Sequence, residues 1–263
     1  MTTIGMIESL WRYPVKSMSG EELAEAFMGF SGFYGDRCYA IKNSAARKGF
    51  PYLNAPAQPQ MLRYRPQFRR PERAAKPPNL LEAMSIAPGV TPANGDVNDM
   101  LLDIVTPSGA VVCIDDPALL QMLGEGLRGE NRLSLVRSDR ALTDCRPVSL
   151  ISLQTVQHIA AELEFPVDKR RFRANTYFDM ASSAGFAEDN LIGRKLRVGS
   201  RAEIMILERD PRCKMISLDP DTGEHHPEVL RKVAKAHAAC AGVYCAVLVE
   251  GLLQQGDLIE LLD

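Results

Sequence analysis

No stretch of the sequence approaches the roughly 20 consecutive apolar residues that a membrane-spanning helix needs. An excess of charge of either sign is also missing. The 31 Lys and Arg stand against 33 Asp and Glu, a formal net charge of −2. Such a balance gives the chain as a whole no drive toward nucleic acid or an anionic membrane. No CxxC pair occurs among the six cysteines, Cys38, Cys113, Cys145, Cys213, Cys240 and Cys245. Cysteines spread this widely read as free thiols rather than a disulfide framework. The first residues, MTTIGMIESLWRYPVKS, lack the basic stretch and apolar block of a secretory signal. The expected location is therefore cytoplasmic, and no internal repeat is evident.

What is present is an ordinary folded composition. Of 263 residues, 46% are hydrophobic and 24% charged, enough for one large or two small cores. Apolar patterning predicts strands over residues 4–11, 22–27, 37–41, 132–136, 196–198, 202–207, 243–249 and 258–261, and residues 148–153 are apolar. A hairpin is predicted over 101–114, turning at Thr106-Pro107-Ser108-Gly109. Three helices are predicted. Asp116-Pro117 opens one over 118–127, Ser152 caps one over 153–163, and Pro227 opens one running to about residue 239. Strands outnumber helices, so the expected class is mostly β with a few helices (α+β), barrel-like. Nine of the 17 prolines fall within residues 51–92. Residues 65–78 read as a proline-rich excursion between strands, partly mobile, with no helix and only pieces that can be strand; Arg69, Arg70 and Arg73 either face an anionic partner or, more often for such a run, lie on a solvated loop.

The chemistry concentrates around RDPRCKMISLDPDTGE at residues 209–224. Cys213 lies between Arg212 and Lys214, with Arg209 upstream, in a loop after a strand. Cations beside a thiol stabilise the thiolate, the form that attacks electrophiles and binds soft metals. The competing reading is a small buried apolar side chain. Lys16 and Ser17 stand at the end of the first strand, where a side chain can meet an anion or form a solvated turn. Arg37 is either structural or a two-pronged ligand for phosphate or carboxylate. A zinc site from Cys213, His225, His226, Cys240 and Cys245 is a weaker alternative, because C-x4-C spacing is loose. Cys240 and Cys245 also read as core packing.

Five segments together resemble one family. They are YPVKS (13–17), GDRCYAI (35–41), FRAN (172–175), Arg212-Cys213 with LDPDTGE (218–224), and GDLIEL (256–261). In that order they resemble the MOSC (molybdenum cofactor sulfurase C-terminal) domain proteins, closest to the amidoxime-reducing component group. The resemblance implies a MOSC-type β-barrel over residues 126–263, preceded by a smaller β-rich N-terminal domain over 1–125. It also implies a molybdenum cofactor (molybdopterin), with Cys213 as molybdenum ligand and catalytic residue. Lys16, Ser17, Arg37, Arg173 and Asn175 would hold the pterin and its phosphate, with Arg212 beside the metal.

The implied activity is reduction of N-hydroxylated or otherwise N- or S-oxygenated small molecules. Lys214, Asp144 or a water would deliver protons. No iron–sulfur cluster is expected in this chain, so electrons would come from a separate ferredoxin- or cytochrome b5-like protein. Neither nucleic acid nor membrane is an expected partner. The alternative is a cofactor or persulfide-sulfur carrier without turnover. One departure stands out: the family often has an arginine-bearing segment after the GDR strand, whereas KGFPYLNAPAQPQM (48–61) has none.

Overall fold

The computed structural model describes residues 2–85 and 97–262. Seven strands close a barrel: β1 (Thr2–Arg12), β2 (Val148–Ser152), β3 (Thr176–Met180), β4 (Lys195–Val198), β5 (Ala202–Pro211), β6 (Cys240–Val249) and β7 (Leu258–Leu261). The order is β3-β2-β6-β5-β4-β7-β1, and β1 pairs back onto β3. β2 and β3 run parallel; the other six pairings are antiparallel. Closure gives each of the seven strands a neighbour on both sides, and the short strand Glu21–Leu23 pairs beside the last residues of β1.

Period-two patterning fills the interior. Ala202, Ile204 and Ile206 of β5 point inward, fully buried, against Val243 and Cys245 of β6, Leu150 of β2, Ile7 and Leu10 of β1 and Ile259 of β7. Burial pushes the Cys245 thiol strongly upward, as expected of a small core side chain.

Three helices follow the sequence signals closely. In α1 (Pro117–Gly124) the Asp116 carboxylate accepts from Ala118 N at 2.8 Å. In α2 (Leu153–Leu163) Ser152 Oγ accepts from Thr155 N at 3.1 Å. α3 (Pro227–Ala236) starts with proline in its first turn. α2 and α3 lie over one side of the barrel, where Val156, Ile159, Val229 and Val233 pack with Ile151, Phe172, Tyr177 and Ile216.

A third core gathers Met18, Leu53, Met61, Leu102, Ile104 and Leu119 around smaller sheets. Two of those sheets join distant parts of the chain: Glu25–Gly29 pairs with Gly251–Gln254, and Tyr39–Asn43 with Leu133–Arg137. The third sheet, Arg65–Phe68, Leu102–Val105 and Val111–Cys113, contains the expected hairpin.

The proline-rich stretch is more ordered than its composition implies. Arg65–Phe68 is a strand, and Pro71–Ala74 is a helical turn with Pro71 in its first turn. Proline is tolerated there because its missing N–H would have no partner in any case. Arg69 and Arg70 pair with Asp103 at 2.7 Å and Asp99 at 3.0 Å rather than simply facing solvent. Residues 86–92 of the stretch lie outside the described residues. Gly251–Gln254 was not anticipated, being short and opened by glycine. Among the described residues no helix is long and apolar enough to cross a membrane.

Ile204→Ala, at the centre of the barrel, is expected to cost about 2–5 kcal/mol, read as a lower urea midpoint at unchanged slope. Leu258→Ala, half-exposed on β7, is expected to cost less than about 1 kcal/mol.

Candidate functional site

The exits of several barrel strands converge on one cleft. Past β1 the chain turns through Tyr13–Ser17, where Val15 bridges to Tyr39 and Lys16 N donates to Tyr39 O at 2.8 Å. Past β5 it delivers Arg212 and Cys213. The approach to β3 delivers Arg171, Arg173 and Asn175. All seven residues singled out in the sequence, Lys16, Ser17, Arg37, Arg173, Asn175, Arg212 and Cys213, line this solvent-open cleft of about 150 Å³. Three of them, Ser17 (φ 69°), Arg37 (φ 45°) and Arg173 (φ 51°), are non-glycine residues in the left-handed region. Backbone strain of this kind persists where surrounding contacts enforce it, and it collects at functional sites.

The basic residues differ in how far the protein has already satisfied them. Lys16 Nζ donates to Leu142 O at 2.8 Å, pairs with Asp144, and lies over the Phe50 and Tyr52 rings. Burial lowers its pKa, partly offset by Asp144. Arg37 pairs with Asp36 at 2.5 Å and donates to Arg173 O at 3.0 Å. Burial opposes its charge, but Asp36 outweighs it and the pKa is raised. Arg212 donates to Ala241 O and Phe172 O, both at 2.7 Å, and its Nη2 lies 2.8 Å from Asp210, off the line of a hydrogen bond. Gly242, at φ 76°, makes room for that side chain: a Cβ there would sit 2.6 Å from Leu150 O and 3.2 Å from Arg212 Nη2.

Arg173 and Arg171 remain under-satisfied. Arg173 Nη1 donates to Met18 O at 2.8 Å and its guanidinium lies 4.2 Å from the Tyr13 ring centroid, while Nη2 is buried without a partner. Burial pulls its pKa down to about 10, with Arg37 adding like-charge repulsion. Arg171 pairs with Asp219 at 3.1 Å, yet its Nε and Nη1 are buried without partners. A buried cation with idle donors is costly unless an anion completes it. Both arginines also face an adjoining groove lined by Trp11, Arg63, Arg65 and Arg170.

The remaining expected residues stand as follows. Cys213 is exposed, and so is Lys214. Arg209 turns away from the cleft, pairing with Asp189 at 2.9 Å and donating to His237 O at 2.9 Å. Asn175 reaches the cleft, but its amide serves the protein: Nδ2 donates to Trp11 O at 3.3 Å and Asp36 at 3.2 Å, and Oδ1 accepts from Ser149 N at 3.3 Å. Phe50, Asn54 and Pro56 from the arginine-free 48–61 segment also line the cleft, so an aromatic ring and an amide stand in that wall. Among the described residues, Cys213, His225, His226, Cys240 and Cys245 form no metal-binding cluster.

Sequence reading missed Arg171, Asp210 and Tyr244, all cleft-lining. Arg171 was legible in RRFRAN, and Asp210 in the alternation of Asp210 with Arg212. Asp210 is buried. Its burial raises the carboxyl pKa to about 6, although Arg212 and the Tyr244 hydroxyl pull the other way. Burial and Asp210 push the Tyr244 phenol upward. Near neutrality this pair can hold a proton in the cleft wall.

Two sequence profiles match the chain. A sequence profile described as the MOSC domain matches residues 137–260, and one described as the MOSC N-terminal beta barrel domain matches residues 4–97. No curated protein matches the chain. Among solved structures it is similar to the YuaD protein of Bacillus subtilis at 13% identity, covering 98% of this chain and 94% of that one, TM-score 0.48. It is also similar to YiiM of Geobacillus stearothermophilus at 16% identity, covering 45% of this chain and 55% of that one, TM-score 0.36. This chain therefore spans about half the length of YiiM.

The raised Asp210 pKa has a definite sign. Between its ordinary value of 3.8 and about 6 the folded protein holds a proton that the unfolded chain releases. Asp210 thus lowers stability as pH rises through that window, by on the order of 3 kcal/mol. Asp210→Asn lacks the effect, so its stability relative to the native protein is expected to rise from pH 4 to 6.5 in urea titrations. A constant difference across that range would contradict the assignment.

Proposed function

The chain belongs to the MOSC-domain proteins, a family associated with the molybdenum cofactor, and from that premise we propose a molybdenum-dependent reductase of N-hydroxylated or otherwise N- or S-oxygenated small molecules. The observation that carries this reading is the pairing of an exposed thiol, Cys213, with the idle buried N–H groups of Arg171 and Arg173 in one cleft. A pterin cofactor with a phosphate and a metal already held by sulfur has the complementary chemistry. When bound, it supplies the two-electron chemistry of oxygen removal, and the protein supplies ligation, orientation and protons.

The chain's residues divide that work. Cys213 would offer a soft thiolate to molybdenum. Arg171 and Arg173, whose Nε, Nη1 and Nη2 groups lack partners, would hold the phosphate, where charge-assisted bonds are strongest. Ser17 lines the same cleft. Lys16 and Arg37 add positive field while bound to Asp144 and Asp36, so they shape the anion site more than they contact it. Asn175 holds the wall through Trp11, Asp36 and Ser149. Asp210, with Tyr244, holds a proton that a departing oxygen needs, a role first assigned by sequence to Lys214, Asp144 or water. Electrons come from a separate ferredoxin- or cytochrome b5-like protein.

The test is production in a host that makes the cofactor, followed by molybdenum and pterin analysis and an amidoxime-reduction assay with an artificial electron donor. Near-stoichiometric molybdenum and turnover are expected. Cys213→Ala should lose molybdenum with an unchanged circular dichroism spectrum. Arg171→Leu and Arg173→Leu should each weaken pterin retention about tenfold or more. Protein without molybdenum or pterin would overturn the proposal, and molybdenum without turnover would favour the carrier reading, to which an exposed Cys213 is equally suited.

A further inference from the structure

On the other side of the helical layer, where α2 packs against α3, three metal-ligating side chains meet: His158, Glu162 and His237. Their ligand atoms all lie within 4.8 Å of one another. His158 and Glu162 are four residues apart on α2 and so share a face. His237 follows the last residue of α3. His237 Nε2 lies 2.8 Å from Glu162 Oε2, and His158 Nε2 lies 3.6 Å from Glu162 Oε1. A tetrahedral ion with bonds of about 2.0–2.2 Å sets its ligands about 3.3–3.6 Å apart. These three groups therefore stand close to coordination spacing without rearrangement of the backbone.

The surroundings hold the two imidazoles in place. The Phe186 ring stacks on His237 at 3.8 Å and 18°, and meets His158 edge-on at 5.6 Å. Phe186 adopts φ 62°, a conformation a bulky residue rarely takes, and its N–H donates to Thr155 Oγ1 at 2.7 Å. That hydroxyl is fixed in turn by the buried Glu188 at 2.8 Å. Gly185 is required beside it, since a Cβ there would lie 2.5 Å from His158 Cβ. The nearby charges are balanced: Arg209 is paired with Asp189, and Lys232 faces Glu162. Burial opposes ionisation of Glu162, but the His237 hydrogen bond and neighbouring cations outweigh it, and its pKa falls below the ordinary value. His158 is about half exposed, leaving a route for an ion and room for a water as fourth ligand.

We propose that His158, Glu162 and His237 form a binding site for a divalent transition metal of the zinc class, clamping α2 to the end of α3. Two imidazoles and one carboxylate are borderline donors that suit Zn²⁺, Co²⁺ or Ni²⁺ better than Mg²⁺ or Ca²⁺. The clamp reaches the cleft through the chain itself. After His237 come Ala238 and Ala239, both left-handed, and Arg212 N donates to Ala239 O at 2.7 Å. A metal on His237 steadies the segment from which the Arg212-Cys213 loop hangs. The site stands independently of any cofactor in the cleft.

The test uses the full chain in a Cys213→Ser background, which removes the exposed thiol beside the cleft. Titration with Co²⁺, read by visible absorption, should show one equivalent bound, displaced by Zn²⁺. Zn²⁺ should also raise the thermal midpoint. His158→Gln, at a half-exposed position, should abolish both effects, and Glu162→Gln should do the same if His158→Gln fails to fold. His225→Gln, at an exposed position outside the site, should change neither. Absence of stoichiometric Co²⁺ binding would show a metal-free His-Glu-His hydrogen-bond network and overturn the proposal. Binding that survives both ligand variants, or is lost in His225→Gln, would also overturn it.

Discussion

The cleft is organised by one carboxylate with almost no access to water. Asp36 accepts Tyr13 N at 2.7 Å, Arg37 Nη1 at 2.5 Å and Asn175 Nδ2 at 3.2 Å. Those donors come from the exit of β1, the turn before the Tyr39–Asn43 strand, and the entrance to β3. An ionised carboxylate buried this deeply must be fully hydrogen-bonded and charge-paired, so its partners have little freedom to move. Arg37 is fixed by it directly, Arg173 through its carbonyl to Arg37 and its ring contact with Tyr13, and the Lys16-Ser17 turn through the chain that follows Tyr13.

The cations around the cleft are therefore of two kinds. Lys16, Arg37 and Arg212 have their charge met by Asp144, Asp36 and Asp210. Arg171 and Arg173 are held with donors unused, at the boundary between the cleft and the groove beside it. A site whose cations were all unpaired would accept any anion and would repel itself in its absence. Pairing most of them confines the unmet positive charge to one small region of the cleft wall.

Much of this was legible in the sequence, because local signals and tertiary structure agree. Ser152 as a cap, Asp116-Pro117 as a helix start and the alternation through Ile204 and Ile206 are local rules that the fold keeps. The seven motif residues also line one cleft. What the sequence hid depends on long-range pairing. Asn175 looked free to bind a ligand, but its hydrogen bonds go to Trp11, Asp36 and Ser149, far apart in the chain. Arg209 looked like a neighbour of Cys213, but it pairs with Asp189. His158 and His237 lie 79 positions apart by number and meet only because α2 packs on α3. Arg65–Phe68 was obscured by proline content, which says little about a strand whose partner, Leu102–Val105, lies beyond residues 86–96.

The position of β1 in the barrel sets a condition on biosynthesis. This strand precedes the other six barrel strands in the chain, yet its two barrel neighbours are Thr176–Met180 and Leu258–Leu261. β1 gains its first barrel neighbour only once Thr176–Met180 has been made and its second only with Leu258–Leu261; before then the short strand Glu21–Leu23 pairs with its last residues alone, and much of its apolar face must be sheltered or left exposed. Contacts of such sequence separation make folding slow and lengthen the time in which an unpaired strand invites aggregation. The cleft likewise draws its wall from residues as far apart as Lys16 and Tyr244, so it is complete only once those distant segments have come together.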